Sequence, residues 1–258
     1  MKVLIFGLPG SGKSYLAECL SEYLGDKVAW FNADKVREEA DDWDFSDEGR
    51  RRQSERMDNL CKQAESEGKI AIADFVAPFQ SARDKFAADF TVWVNTIEEG
   101  RFEDTNKVFE NPKTWDYIVT GQNGKVDAIE LAWILGDKYI WDNKSPTTQM
   151  LGRWQPWHDG HQALFDRAIA KHGQVYLMIR DMPLSNDNPF DQKLVVENLK
   201  QKLVKYAGRV KIGVVPNIMN ITYGRGVGYK IEQEVFTDEI HDISATKIRA
   251  KMRDEGKL

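Results

Sequence analysis

The sequence contains only two cysteines, Cys19 and Cys61, among 258 residues. Two are too few for a disulfide framework or a cysteine-rich metal site, and we expect two buried free thiols on helices. Long hydrophobic runs are also missing. The opening MKVLIFGLPG is interrupted by glycine and proline, and no stretch approaches the roughly 20 apolar residues of a membrane span. These absences predict a cytoplasmic protein that does not interact with membranes.

An excess of positive charge is missing as well. The chain carries 36 basic and 41 acidic residues, for a net charge of −5. Surfaces that bind nucleic-acid phosphates normally need a basic face, so this balance argues against a nucleic-acid partner. It still permits a small basic pocket around one nucleotide, and it is compatible with a homo-oligomer.

Internal repeats and low-complexity tracts are absent, but one local pattern occurs twice. A short apolar strand, a glycine-containing turn and an amphipathic helix follow one another in KVLIF-GLPGSGKS-YLAECLSEYLG and again in TQML-GRWQPWHDG-HQALFDRAIAKHG. Strands that alternate with helices are typical of parallel sheets with crossover helices. The sequence therefore predicts an α/β protein of two tandem domains, residues 1–143 and 147–258, divided where proline and polar residues interrupt the pattern.

Further strands and helices are predicted within each domain. In the first, VAWFNAD, KIAIADFVAP and FTVWVNT indicate buried strands, and helices are expected over residues 47–68 and 125–136. In the second, QVYLMIRD and VKIGVVPN indicate strands with the helix DQKLVVENLKQKLVKY between them. ISATKIRAKMRDEG predicts a terminal helix that begins at Ser244.

The segment GLPGSGKS fits the P-loop pattern G-x-x-x-x-G-K-[ST] in full, after a strand and before a helix. Its glycines let backbone N–H groups surround phosphate oxygens at a helix N-terminus. The lysine reaches the β- and γ-phosphates, and the final serine ligates Mg²⁺. The predicted ATP-binding residues are Gly7, Gly10, Ser11, Gly12, Lys13 and Ser14.

Two aspartates follow buried strands of the same domain. Asp34 comes after VAWFN, and Asp74 ends KIAIAD. Carboxylates at strand ends beside a P-loop are where a general base or a magnesium ligand belongs. We predict both as metal ligands and Asp34 as a catalytic residue together with Lys13; the alternative for Asp34 is a helix cap.

Three downstream segments resemble the adenylylsulfate kinase family. Its D-G-D-x-V-R, F-S-x-x-D-R and S-P-F/Y-x-x-x-R patterns stand here as residues 32–37, 45–50 and 77–83, in the same order within the first 85 residues. The resemblance implies a kinase that uses MgATP, with an anionic acceptor bound by Arg37, Arg50, Phe79 and Arg83. The chain departs from the family at Asn32, which replaces the first aspartate, and lacks the later R-D-x-K-x-L-Y segment.

The segment GRWQPWHDGH, residues 152–161, permits three interpretations. Its two histidines suggest a metal site, its two tryptophans suggest a core segment, and its glycines before a helix suggest a phosphate site. Neither an H-E-x-x-H pattern nor a nearby cysteine supports zinc. The tryptophans either pack or line a nucleotide site, and we favour packing.

Together with ISATKIR, residues 243–249, and the N-P-F segment 188–190, this stretch resembles nucleotidyltransferases with an H-x-G-H motif, most of all the archaeal-type nicotinamide-nucleotide adenylyltransferases. The resemblance implies a Rossmann-like domain that binds ATP, or CTP, with His158 and His161 as catalytic residues. Cations at the start of the ISATKIR helix oppose the helix dipole, and a bound anion would resolve that conflict; the alternative is an ordinary capped helix. The nucleotide-binding residues so implied are Gly152, Arg153, His158, Gly160, His161, Ser244, Thr246 and Arg249.

We therefore expect a bifunctional enzyme: a small-molecule kinase joined to a nucleotidyltransferase, with Mg²⁺ as cofactor and ATP as substrate. A ribosylnicotinamide kinase with an adenylyltransferase suits the second domain better. An adenylylsulfate kinase joined to a sulfurylase suits the first. A non-catalytic nucleotide sensor remains the third alternative.

Overall fold

A computed structural model describes residues 1–222, 224–226, 228, 230–236 and 243–258. The chain divides into two compact units, Met1–Ile134 and Leu135–Leu258, and the division lies within one helix. The predicted boundary lies a few residues further along the chain. Among the helices of the described residues, none has the length and the apolar character that crossing a bilayer requires.

The first unit is built on a parallel five-stranded sheet with the order β2-β3-β1-β4-β5. Four of its five strands were predicted from their apolar segments, which are typical of strands covered on both faces. The strands are β1 (Lys2–Phe6), β2 (Val28–Asn32), β3 (Ile70–Asp74), β4 (Phe90–Val94) and β5 (Tyr117–Val119).

The helices of this unit lie between the strands. The longest, α3, is capped by Ser46, whose Oγ accepts a hydrogen bond from Gly49 N at 3.2 Å, and Asp47 and Glu48 follow in its first turn, where the helix dipole favours negative charge. The helices are α1 (Lys13–Leu24), α2 (Ala33–Glu39), α3 (Asp47–Ser66), α4 (Gln80–Phe86) and α5 (Glu103–Val108), and α6 (Gly124–Tyr139) contains the division between the two units.

The core of the first unit lies where α3 packs on the sheet. Met57, Cys61 and Ala64 of α3 are buried against strand residues such as Leu4 and Ala73. Because all five strands are parallel, the loops after their carboxyl ends gather at one edge of the sheet. That edge carries the P-loop and both candidate aspartates.

The second unit contains a parallel three-stranded sheet with the order β6-β7-β8. This second α/β layer was predicted, and the helix after the histidine motif packs against it through buried Phe165 and Ile169. Its elements are β6 (Thr148–Gly152), α7 (Asp159–His172), β7 (Val175–Arg180), α8 (Gln192–Lys202), β8 (Val210–Val215) and α9 (Ala245–Asp254).

The structure corrects several sequence-based expectations. Helix α3 ends at Ser66 rather than Gly68, and α6 extends three residues past Gly136 to Tyr139. Helices α4 and α5 and strand β5 were not predicted, because each is short and its apolar periodicity is weak. Both cysteines are free, but only Cys61 is buried, whereas Cys19 is half-buried on the side of α1.

Candidate active sites

The P-loop has the backbone that its glycines predict. Gly7 has a φ of +149°, and a Cβ on this residue would lie 2.2 Å from the carbonyl oxygen of Val94 on the neighbouring strand. Gly12, with φ +95°, stands at the start of α1. Side chains are excluded at Gly7 both by the backbone conformation and by space.

Two polar side chains of the loop are buried. Lys13 Nζ donates to Leu8 O at 2.9 Å. Burial lowers the pKa of Lys13 to about 8, against the opposing charges of Asp74 and Asp34. The Ser11 hydroxyl is buried and has no hydrogen-bond partner in the described part of the chain. A buried unpaired hydroxyl and an ammonium group in one loop are suited to phosphate oxygens.

The candidate metal ligands Ser14 and Asp74 belong to one hydrogen-bonded cluster. Asn32 Nδ2 donates to Ser14 Oγ at 3.0 Å and to Asp74 Oδ1 at 2.9 Å. Burial raises the pKa of Asp74, while hydrogen bonds from Ser14 and Asn32 and the charge of Lys13 oppose that rise. Asp34 is exposed and faces the same cavity.

These groups fit Mg²⁺. The cation prefers hard oxygen ligands and keeps several waters or phosphate oxygens, so one hydroxyl and one or two carboxylates suffice. The Asp74 carboxylate is 1% exposed, and a nearby divalent cation would offset the cost of burying its charge. Larger clusters are absent: among the described residues, no three His, Cys, Asp or Glu side chains are arranged to hold a metal ion.

A cavity of about 760 Å³ opens next to the P-loop. It brings together the predicted residues Lys13, Ser14, Asp34 and Asp74 with the predicted acceptor-binding residues Arg37, Arg50 and Phe79. Asn32 caps α2 by accepting from Lys35 N at 3.1 Å, so the alternative role of Asp34 as a helix cap is wrong. Asp34 remains free to serve the cavity.

Two of the four predicted acceptor-binding residues, Arg37 and Arg83, each donate to three backbone carbonyl oxygens. Arg37 lines the cavity but is buried and donates to the carbonyl oxygens of Asp42, Asp44 and Gly49. Burial lowers its pKa. Arg83 donates to the carbonyl oxygens of Ala77, Pro78 and Glu110 and is not among the cavity-lining residues. Both arginines hold loops in place.

Arg50 is the predicted acceptor residue best placed to meet a ligand. Its Nε donates to Phe45 O at 2.7 Å, and its Nη2 donates to the exposed carboxylate of Asp104 at 2.9 Å. A ligand anion can replace Asp104 because that carboxylate is 67% exposed and loses little on release.

Several cavity residues escaped sequence reasoning. Arg101 lies against Gly10 of the P-loop, and a Cβ on Gly10 would lie 3.1 Å from Arg101 Nε. Trp43 and Phe45 are 52% and 53% exposed although they line the cavity. The sequence offered one signal for this side of the cavity, which is a tryptophan within an acidic loop.

The cavity is electropositive in an acidic protein. Its lining holds five cationic and three anionic side chains, although the whole chain carries −5. This excess of positive charge favours anionic ligands. The charged residues are Lys13, Arg37, Arg50, Arg51, Arg101, Asp34, Asp74 and Asp104.

In the second unit, the histidine motif forms the turn between β6 and α7. His158 caps α7, with its Nδ1 accepting from His161 N at 3.4 Å, and the two imidazole rings stack at 3.7 Å between centroids. Burial, aided by His158, lowers the pKa of His161 to about 4. Burial also lowers the pKa of His158. Both imidazoles are therefore neutral at pH 7.

The tryptophans of this turn pack, as was favoured from the sequence. Trp154 is 6% exposed and its Nε1 donates to Met178 O at 2.9 Å. A Cβ at Gly152 would approach the Trp154 ring to 2.7 Å, so the glycine makes room for the indole. Trp154 and Trp157 both contact the ring of His161. They hold the imidazole in an apolar setting.

The ISATKIR segment caps its helix as expected, since Ser244 Oγ accepts from Lys247 N at 3.2 Å. Arg249, predicted to bind nucleotide, is buried instead, and its Nη1 donates to Gln155 O at 2.9 Å. Its Nη2 bonds Thr246 Oγ1 and Asp187 Oδ1, each at 3.2 Å. Arg249 thus ties α9 to the histidine turn.

The remaining predicted residues are distributed around the same turn. Arg153 is exposed and donates to Asn188 Oδ1 of the N-P-F segment at 3.3 Å. Gly160 lies in the first turn of α7. His158, Gly160 and His161 therefore lie at the N-terminal end of α7, and Arg249 is joined to the same turn through Gln155.

Comparison with known proteins bears on the first unit. Residues 1–106 match the model of the family described as adenylylsulphate kinase. Adenylyl-sulfate kinase of Bacillus velezensis is 34% identical over 83 residues, which are 31% of this chain and 42% of the relative. That of Bacillus pumilus is 34% identical over 85 residues, covering 31% and 43%. The chain thus spans less than half the length of these curated relatives.

Solved structures are similar to about half of the chain. The Mycobacterium tuberculosis APS kinase CysC, in complex with AMPPNP and APS, is 20% identical, covers 50% of this chain and 94% of its own, and gives a TM-score of 0.45. Shikimate kinase from Aquifex aeolicus is 18% identical, covers 52% and 96%, and gives 0.39. The predicted P-loop domain of adenylylsulfate kinase type is supported for the first unit through its sequence match.

Proposed function

We propose that the first unit transfers the γ-phosphoryl group of MgATP to a hydroxyl group of a small anionic molecule. The observation that carries this proposal is the electropositive cavity in which the P-loop lysine and serine meet the strand-end aspartates. A P-loop alone indicates nucleotide binding, whereas an adjoining cavity with its own carboxylate and arginines provides a place for an acceptor.

The residues divide the work of phosphoryl transfer. Lys13, the P-loop N–H groups and the unpaired Ser11 hydroxyl bind the phosphate oxygens. Ser14 and Asp74 would hold Mg²⁺, which would neutralise phosphate charge. The acceptor oxygen forms a bond to the γ-phosphorus as the bond to the β–γ bridging oxygen breaks, and Asp34 accepts the hydroxyl proton. ADP leaves.

Adenylylsulfate is the first acceptor to test, since the curated relatives are named for it. Arg50 lines this cavity together with the exposed aromatic residues Trp43 and Phe45, and its partner carboxylate Asp104 is exposed. Because Arg37 is engaged by backbone carbonyls, the acceptor's anionic group is expected at Arg50 rather than at Arg37.

For the second unit we propose nucleotidyl transfer from ATP or CTP to a phosphorylated acceptor. A phosphate oxygen of the acceptor forms a bond to the α-phosphorus, and pyrophosphate leaves. The observation that favours this is the pair of neutral imidazoles at the N-terminus of α7. Neutral imidazole N–H groups and a helix N-terminus stabilise charge that develops on phosphate oxygens.

Two pairs of activities follow from the two units. In one, a ribosylnicotinamide kinase accompanies a nicotinamide-nucleotide adenylyltransferase; in the other, an adenylylsulfate kinase accompanies a sulfurylase. In the first pair, the kinase product is a phosphomonoester, which is what the proposed transferase accepts. Sulfate-dependent release of pyrophosphate from ATP would favour the second pair.

One experiment tests both units. The protein is incubated with Mg²⁺ and either ATP or CTP, with adenylylsulfate, ribosylnicotinamide or a metabolite extract, and the products are identified by mass spectrometry. Lys13→Ala should abolish phosphorylated products, and His161→Ala should abolish nucleotidylated ones. ATP binding without turnover of any substrate would support a nucleotide sensor instead.

A further inference from the structure

Asn32 connects the P-loop serine to the buried carboxylate of Asp74. It is the last residue of β2 and lies opposite Asp74 in the parallel pairing of β2 with β3. Its Nδ2 donates to Ser14 Oγ at 3.0 Å, and to Asp74 Oδ1 and Oδ2 at 2.9 and 3.2 Å. One amide group therefore donates hydrogen bonds to both candidate metal ligands.

The orientation of this amide is determined by the helix that follows. Asn32 caps α2, and its Oδ1 accepts from Lys35 N at 3.1 Å. An amide nitrogen cannot accept this hydrogen bond, so the oxygen must face the helix and the NH₂ group must face Ser14 and Asp74. The capping contact thus keeps the donor aimed at the metal ligands.

The amide also determines how the serine can bind a cation. A hydroxyl has one hydrogen and two lone pairs. Asn32 occupies one lone pair of Ser14 Oγ by donating its Nδ2–H to that oxygen. One lone pair of Ser14 Oγ remains, next to the carboxylate oxygens of Asp74.

The side chain of Asn32 is also neutral, and this affects the total charge of the site. Asp34 and Asp74 are the carboxylates of the cluster, and Lys13 faces them. A carboxylate in place of Asn32 would lie about 3 Å from the oxygens of Asp74 and could donate no hydrogen bond to either partner. The neutral donor therefore permits close packing that a third carboxylate would oppose.

We propose that Asn32 is a positioning residue, which holds Ser14 and Asp74 in place for Mg²⁺ while keeping the site too weakly charged to retain the cation without nucleotide. This inference rests on the proposed kinase function of the first unit. The triphosphate supplies the remaining negative charge, so cation and ATP bind together.

Two substitutions separate the hydrogen bonds from the charge. Asn32→Asp and Asn32→Ser both introduce a residue that caps helices well, so the start of α2 is preserved. The aspartate adds a carboxylate and loses the donors, whereas the serine is too short to bridge Ser14 and Asp74 and adds no charge. Binding of Mn²⁺ to the full chain is measured by electron paramagnetic resonance, first without nucleotide and then with ATP.

Asn32→Asp should bind Mn²⁺ about tenfold more tightly than the natural chain when nucleotide is absent, because a third carboxylate adds direct attraction. Asn32→Ser should show no such gain, and its affinity for Mn²⁺ with ATP should fall about tenfold. Circular dichroism confirms that each variant is folded; if Asn32→Ser unfolds, the aspartate variant alone decides.

Unchanged nucleotide-free Mn²⁺ affinity in Asn32→Asp would overturn the proposal, as would natural Mn²⁺·ATP affinity in Asn32→Ser. Failure of the kinase function has a different signature. In that case, no acceptor is phosphorylated by the natural chain, while the Mn²⁺ affinities still change as stated.

Discussion

Substitution of Gly7 by alanine probes how the P-loop is joined to the sheet. Gly7 has a φ of +149°, and an added Cβ would lie 2.2 Å from Val94 O. Ordinary contacts begin near 3.4 Å, so the end of β4 would have to move by about 1 Å. That strand end is held on its other side, where Val94 pairs with Val119 of β5.

The expected cost has two parts. A left-handed backbone conformation costs an alanine about 1–2 kcal/mol, and forcing a group into a packed site costs about 1–3 kcal/mol. Gly68 provides a matched control in the same unit, because its φ is +75° but nothing lies within 4 Å of its Cβ position. Gly68→Ala should therefore show only the first part. The two variants should differ by about 2 kcal/mol.

Hydrogen exchange measured by mass spectrometry suits this comparison, because peptides from β1 and β4 report the opening of the first unit alone. The measurement is repeated with MgATP, which should stabilise the natural chain and Gly68→Ala but not Gly7→Ala. Equal destabilisation by the two alanines would refute the close approach of Gly7 to Val94.

Two further predictions concern the second unit. His161 stays neutral in the folded chain down to a pKa of about 4, while the unfolded imidazole titrates near 6.5. The neutral imidazole therefore contributes up to about 3 kcal/mol to the free energy of unfolding above pH 6.5, and this contribution is lost as the pH falls toward 4. The unfolding free energies of the natural chain and of His161→Gln should converge in that window. An NMR titration midpoint of His161 near 6.5 would contradict this prediction. Arg249→Ala leaves the Gln155 carbonyl without its buried partner and should cost about 1–3 kcal/mol of unfolding free energy. Lys251→Ala on the exposed face of the same helix should cost under about 0.5 kcal/mol, because Lys251 makes a surface ion pair with Glu255; similar losses for both would refute the anchoring role of Arg249.

Local patterns in the sequence predicted much of the architecture. The strand, turn and helix around each glycine-rich motif were found where expected, because apolar runs and capping residues act over a few positions. Ser244 caps α9 as its sequence indicates. Helices α4 and α5 and strand β5 were not predicted, since the formation of these short elements depends on packing against the sheet.

The roles of the arginines show where sequence reasoning stops. Arg37 and Arg83 match positions that the family resemblance assigns to the acceptor, yet both donate to backbone carbonyls of neighbouring loops. Arg249 likewise serves the carbonyl of Gln155. An arginine in a motif carries the same five donors whether they meet a ligand or a loop, and only the folded chain decides between the two.

By itself, the sequence determined the two α/β units, the P-loop and the capped helix starts, because each is specified by residues close together in the chain. Only the tertiary structure decided that Asn32 joins Ser14 to Asp74, and that five cations surround one cavity in an acidic protein. These groups come from separate strand ends and loops, and parallel strand pairing is what brings them to the same edge of the sheet.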